Sequence, residues 1–171
     1  MEPCHGALNF VVMGVSGSGK SLIGALLAGA LVIETVEGDV YHPPENVARM
    51  SAGIPLDDED RQPWLAAIAA RLDAARQAGV GLVVACSALK RGCRDVLRAG
   101  GADTQFVYLE GTRGLLEQRL AGRRGHFMPS SLLDSQLATL EPPSPGEHVW
   151  VCDIAEPPDA IVAGLVARIL P

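Results

Sequence analysis

At 171 residues, with 48% hydrophobic and 20% charged residues, the chain fits one domain that buries roughly 70% of its unfolded surface, and its composition excludes disorder. The net charge of -6 argues against nucleic acid or an anionic membrane as main partner, and no apolar run reaches membrane-spanning length. Cys4, Cys86, Cys93 and Cys152 show no C-x-x-C spacing, and Met1 to Gly6 is too short and polar for a targeting peptide, so the expectation is a reduced cytoplasmic protein with neither disulfides nor zinc.

In chain order, Leu8 to Met13 is a continuous apolar run, the pattern of a strand buried on both faces of a parallel sheet. It leads into Gly14-Val15-Ser16-Gly17-Ser18-Gly19-Lys20-Ser21, which matches the phosphate loop G-x-x-x-x-G-K-[ST]. A glycine-rich turn lets successive backbone N–H groups point inward at phosphate oxygens, and the helix after it adds its positive end. Lys20 would carry a point charge to the β and γ phosphates, and the Ser21 hydroxyl would ligate Mg²⁺. Lys20 to Gly29 reads as a helix, and Leu31 to Val36 as a second strand ending at Glu37-Gly38-Asp39. Pro43 and Pro44 open a short helix toward Met50, and Asp57 to Arg61 is a charged approach to a long helix with Pro63 in its first turn and Gly79 at its end.

Val80 to Cys86 is the third strand, and Ser87-Ala88-Leu89-Lys90 leads into a helix ending near Gly100. Thr104 to Leu109 is a fourth strand, followed by a helix from about Thr112 to Leu120. Charge, glycine and Pro129 around Arg123-Arg124-Gly125-His126-Phe127 suggest a mobile lid, spanning approximately residues 121–135. Ser130 to Leu140 is helical, Pro142 to Pro145 a loop, Val149 to Cys152 a fifth strand, and Ala160 to Leu170 a closing amphipathic helix. This alternation predicts a single α/β domain over residues 1–171 with a doubly wound parallel five-stranded sheet, its ligands at the carboxyl ends of the strands.

A phosphate loop alone does not separate a switch GTPase, a mechanical ATPase and a small-molecule kinase. Strand three ends in Val84-Ala85-Cys86-Ser87, without the acid that many ATPases place there, and the guanine-reading Asn-Lys-x-Asp signature is absent. Asp153, after the last strand, is one alternative metal acid. The better acid is Asp39, near the phosphate loop, where it could accept a proton from an attacking hydroxyl or order Mg²⁺ through water; a plain turn aspartate after Gly38 is the other reading. Arg61, Arg94, Arg119, Arg123 and Arg124 suit a small anionic substrate and a phosphoryl group in transfer, because guanidinium forks spread and neutralise such charge.

The chain resembles the gluconokinases, ATP-dependent kinases of D-gluconate. The resemblance runs through Met13 to Ser21, Gly38-Asp39 with His42-Pro43, Asn46, Met50, Gly53, Pro55-Leu56, Asp60-Arg61 and Pro63-Trp64-Leu65. It continues in Cys86 to Lys90, Arg94-Asp95, Gly125-His126-Phe127, Ser135-Gln136 and Leu140-Glu141. It implies a fold like that of nucleoside monophosphate kinases with a mobile lid, a homodimer, and conversion of gluconate and ATP to 6-phosphogluconate and ADP. It further implies that Gly14, Val15, Ser16, Gly17, Ser18, Gly19, Lys20 and Ser21 bind the triphosphate and Mg²⁺, with Glu37 reaching the metal through water, and that Asp39 meets the reacting hydroxyl. His42, Arg61, Ser87, Lys90 and Arg94 would face the sugar acid; Arg119, Arg123 and Arg124 would serve the lid side of the phosphates. Leu22, Glu37, Val40 and Cys93 depart from the family pattern, and Leu22 is expected to alter packing under the loop. The alternatives are a kinase of another small hydroxy acid, such as shikimate, and a nucleotide-binding module with weak catalysis.

Overall fold

The computed structural model describes residues 8–123 and 130–170. Five strands, β1 (Asn9–Met13), β2 (Glu34–Glu37), β3 (Leu82–Ala85), β4 (Gln105–Glu110) and β5 (Trp150–Asp153), form one sheet in the order β2-β3-β1-β4-β5. Every neighbouring pair is parallel, with Val11 of β1 beside Val84 on one side and Phe106 on the other. The doubly wound parallel sheet expected from the alternation is therefore the architecture found.

Because side chains alternate along a strand, the central strand feeds two cores. Phe10 and Val12 pack with Ile23 and Leu27 of α1 (Lys20–Leu31) and with Ile161 and Leu165 of α7 (Pro158–Ile169). Val11 and Met13 pack on the other face with Leu65, Ile68 and Leu72 of α3 (Asp58–Ala78) and Leu97 of α4 (Arg91–Ala99). Short helix α2 (Pro44–Ser51) precedes α3, while α5 (Arg113–Ala121) and α6 (Ser130–Thr139) lie between β4 and β5 in the chain and add Leu116 and Leu133 to the first core. An ion pair between Arg113 and Asp134 ties α5 to α6.

Three boundaries differ from the sequence reading for local reasons. Helix α1 runs on to Leu31, whose side chain joins the first core, and Val32 closes it at φ 57°, so β2 starts only at Glu34. Helix α3 begins five residues before Pro63, because Asp57 and Asp60 cap each other's backbone N–H at 2.7 and 3.1 Å; Pro63 then falls in the second turn. After β2 the chain makes a 3₁₀ turn, Gly38–Tyr41, that the sequence did not signal. A Cβ at Gly38 would lie 2.7 Å from the Ala85 carbonyl oxygen, so only glycine lets this turn press against β3 and put Asp39 at the sheet edge.

Candidate active site

The phosphate loop follows the central strand directly. Gly14, Gly17 and Gly19 hold φ values of 151°, 84° and 92°, which turn the backbone in the way an N–H cradle needs. Lys20 donates from Nζ to the Val15 carbonyl at 3.1 Å, folding back over the loop. Burial pushes the Lys20 pKa down and the nearby Arg123 charge adds to that, while Asp39, Cys86 and Glu37 oppose it. The Ser21 hydroxyl donates to Glu37 Oε2 at 2.9 Å. That exposed pair of hard oxygen donors suits a Mg²⁺ ion that keeps several waters, so the residues expected at the metal do meet, across the gap between α1 and β2. Among the described residues no group of three or more His, Cys, Asp and Glu forms a protein-only metal site.

Beside the loop, a groove is lined by Ser18, Gly19, Leu22, Arg119, Ile154 and Glu156. Arg119 Nη2 donates to the Ile154 carbonyl at 2.5 Å, which fixes the guanidinium next to the phosphate loop. Leu22 is 52% exposed on this wall; the expectation that it packs under the loop is corrected, since its place on the first turn of α1 turns it outward. Asp153, the alternative metal acid, accepts the Ala155 N–H at 2.9 Å and so shapes the turn after β5.

On the other side of Lys20 lies a cavity lined by Ser16, Lys20, Asp39, His42, Arg61, Ser87 and Lys90, among others. These residues come from four separate stretches of chain: three follow the carboxyl ends of β1, β2 and β3, and Arg61 comes from α3. Asp39 is 76% exposed in its side chain, with one carboxylate oxygen 4.0 Å from His42 Nε2. Burial lowers the pKa of His42, with Asp39 opposing and Arg61 assisting, so the ring is neutral at pH 7. Arg61 and Lys90 converge on one oxygen of Asp58, at 3.3 and 2.8 Å. Asp58 was missed in the sequence because it is one of four consecutive acidic residues, Asp57 to Asp60, and the others cap a helix or face solvent.

Arg94, expected among the substrate ligands, is corrected: it is 0% exposed and all five of its N–H groups are engaged. Nε and Nη2 hold both oxygens of Glu147 at 2.8 and 3.1 Å, Nη1 donates to the carbonyls of Ala88 and Leu89 at 3.0 and 3.1 Å, and Nη2 also donates to the Glu141 carbonyl at 3.1 Å. Ala88 adopts φ 44°, a conformation L-residues rarely hold, and the Arg94 clamp keeps it there. Arg94 thus supports from behind the loop that presents Ser87 and Lys90. Hydrogen bonds from Arg94 hold the Glu147 carboxyl down to about 2.

Gln136 of α6 also reaches the site, accepting the Ser16 N–H at 2.7 Å with its side-chain oxygen. Nothing in the local sequence marks this contact, which spans 120 residues. Arg123 lies near enough to Lys20 to lower its pKa, whereas Arg124 and the rest of residues 124–129 of the expected lid fall outside the described residues.

Residues 10–143 match the family described as an AAA domain. A gluconokinase of Gluconobacter oxydans (strain 621H) is 47% identical over 156 residues, covering 91% of this chain and 88% of the relative. Among solved structures, a gluconokinase from Sinorhizobium meliloti 1021 superposes with a TM-score of 0.86 at 48% identity, covering 96% of this chain and 94% of that one. An unliganded sugar kinase from Janibacter sp. HTCC2649 superposes with a TM-score of 0.91 at 47% identity, covering 95% and 94%.

Proposed function

The chain belongs to the gluconokinase family, and we propose on that premise that it transfers the γ-phosphoryl group of ATP to the terminal hydroxyl of D-gluconate, giving 6-phospho-D-gluconate and ADP. The observation that carries this reading is the single cavity that joins Lys20 and Ser16 of the phosphate loop to Asp39, Arg61, Ser87 and Lys90. A phosphate donor and a small anionic acceptor can meet there without either crossing the sheet.

The backbone N–H groups of the loop hold the triphosphate, and Lys20 exchanges its bond to the Val15 carbonyl for the β and γ phosphates. Ser21, with Glu37 through water, would hold Mg²⁺, which supplies neutralisation of phosphate charge when bound. Arg61 and Lys90 offer the cations that a sugar-acid carboxylate needs, and Ser87 a hydroxyl for the polyol chain. Asp39 takes the proton of the terminal hydroxyl as its oxygen bonds the γ phosphorus; the bond from that phosphorus to the β–γ bridging oxygen breaks and ADP leaves. Arg119 and Arg123 flank the loop on the side where charge spreads over the transferred group. Arg124 is proposed for the same lid side. His42 lines the acceptor wall.

The family reading also carries a homodimer and a cytoplasmic setting. Burial raises the pKa of Cys86 to about 12, so this thiol beside Lys20 and Asp39 stays protonated and takes no part.

A coupled assay of ADP release over a panel of sugar acids and other hydroxy acids, shikimate included, tests the reading. Stimulation by gluconate above all others is expected; no response to gluconate would overturn it.

A further inference from the structure

His42 is held more completely than a cavity-lining residue requires. Its ring stacks on the Trp64 indole with centroids 4.2 Å apart and planes inclined by 14°, and Trp64 is itself pinned by its Nε1–H donating to the Gly38 carbonyl at 2.8 Å. Nδ1 of His42 lies 3.3 Å from Nδ2 of Asn46, a residue only 4% exposed. The same Asn46 nitrogen lies 2.8 Å from the Asp60 carbonyl oxygen. A carbonyl can only accept, so the Asn46 atom facing it must be the NH₂ group, and that group has one further hydrogen for His42. Nδ1 is then an acceptor, and in a neutral imidazole the proton must sit on the other nitrogen. Nε2 is the atom 4.0 Å from the Asp39 carboxylate, on the cavity side.

We propose that Asn46 is a positioning residue that fixes His42 in the Nε2–H tautomer, so that His42 serves the bound sugar acid as a hydrogen-bond donor and Asp39 alone remains to accept the proton. The role of the pair in turnover rests on the kinase reading above; the tautomer does not. Trp64 fixes the plane of the ring and Asn46 fixes its proton, each from a different helix, and the Trp64 bond to Gly38 ties both to the turn that carries Asp39. A neutral donor in this position adds no charge to compete with Arg61 and Lys90 for the substrate carboxylate, and it cannot take the hydroxyl proton in place of Asp39.

Long-range ¹H–¹⁵N correlation spectra of the ¹⁵N-labelled, ligand-free protein at pH 7.5 test the tautomer directly, with the His42 signals identified by their loss in His42→Gln. The expected pattern is an unprotonated Nδ1 and a protonated Nε2. An Nδ1–H pattern, or the averaged signals of a freely exchanging ring, overturns the proposal. In Asn46→Asp the donor becomes an acceptor, so the proton should move to Nδ1 and kcat with gluconate should fall roughly 10- to 100-fold, the loss of one hydrogen bond to a charged or reacting group, with the KM for ATP unchanged. His42→Gln, whose amide N–H₂ lies near the position of Nε2, should retain about tenfold more kcat than His42→Leu. Equal losses in those two, or full turnover in Asn46→Asp, would overturn the donor role. The spectra need no substrate, so a wrong tautomer and an absence of gluconate turnover are separate results.

Discussion

The donor and acceptor sides of the site are built on different principles. On the donor side the binding groups are backbone N–H groups of one continuous loop, set by three glycines with positive φ, and side chains add Lys20 and Ser21. On the acceptor side the proposed binding groups are side chains from separate segments, each with its own support: Trp64 and Asn46 behind His42, Asp58 between Arg61 and Lys90, and Arg94 behind the Ser87–Lys90 loop. A backbone cradle tolerates changes around it, such as the outward Leu22. An assembled pocket should fail wherever a single support is removed.

The largest break in that contrast is expected at Asp39. Asp39→Asn removes the proton acceptor but leaves the phosphate loop untouched, so turnover should fall about 10²- to 10⁴-fold while ATP affinity, measured by calorimetry, is unchanged. Unchanged turnover would remove Asp39 from the mechanism.

The next effect is on folding. Arg94→Met leaves Glu147, 1% exposed in its side chain, with only the longer Arg98 contact at 3.3 Å and the Ser144 N–H at 2.8 Å to offset its buried charge, and urea unfolding should show a loss of about 3 kcal/mol. Replacing Glu147 as well should recover much of that loss. A loss confined to gluconate binding, with stability intact, would restore Arg94 to the substrate set.

The same pair sets an acid limit. With its carboxyl lowered from 4.5 to about 2 in the folded state, Glu147 contributes stability that is fully present above pH 4.5 and lost as pH falls toward 2. Glu147→Gln should therefore flatten the acid arm of the stability profile measured by urea titration.

The smallest effect sharpens the contrast. Asp58 is exposed, so Asp58→Asn should raise the gluconate KM by no more than about fivefold through looser placement of Arg61 and Lys90, with kcat and the KM for ATP unchanged. A change in ATP parameters instead would show that the two sides are not separately built.

This contrast also explains what could be read in advance. Strand order apart, the sheet was legible, because buried parallel strands write themselves as apolar runs such as Leu8 to Met13. The phosphate loop was legible because its function lies in consecutive residues. On the acceptor side Asp39 was legible from its place after β2 and Arg61 as one of several arginines, but His42, Ser87 and Lys90 were readable only through resemblance to a family, since these residues are neighbours by topology and not by spacing. Arg94 was misread because its partner Glu147 lies 53 residues away, behind a proline-rich stretch that gives no pairing signal. Asp58 was missed, and Gln136 was quoted only as part of the family pattern without a role, for the same physical reason: a side chain that acts by holding another residue carries no local motif.

The central claim, that the cavity next to Lys20 delivers a γ-phosphoryl group to the far end of a sugar acid, is tested most directly by the position of the phosphate in the product. ³¹P–¹H correlation on the reaction of ATP with gluconate should show the product phosphorus coupled to the two protons of the terminal CH₂ group. A phosphate on any other carbon, or ADP formed without a phosphorylated sugar acid, would contradict the account.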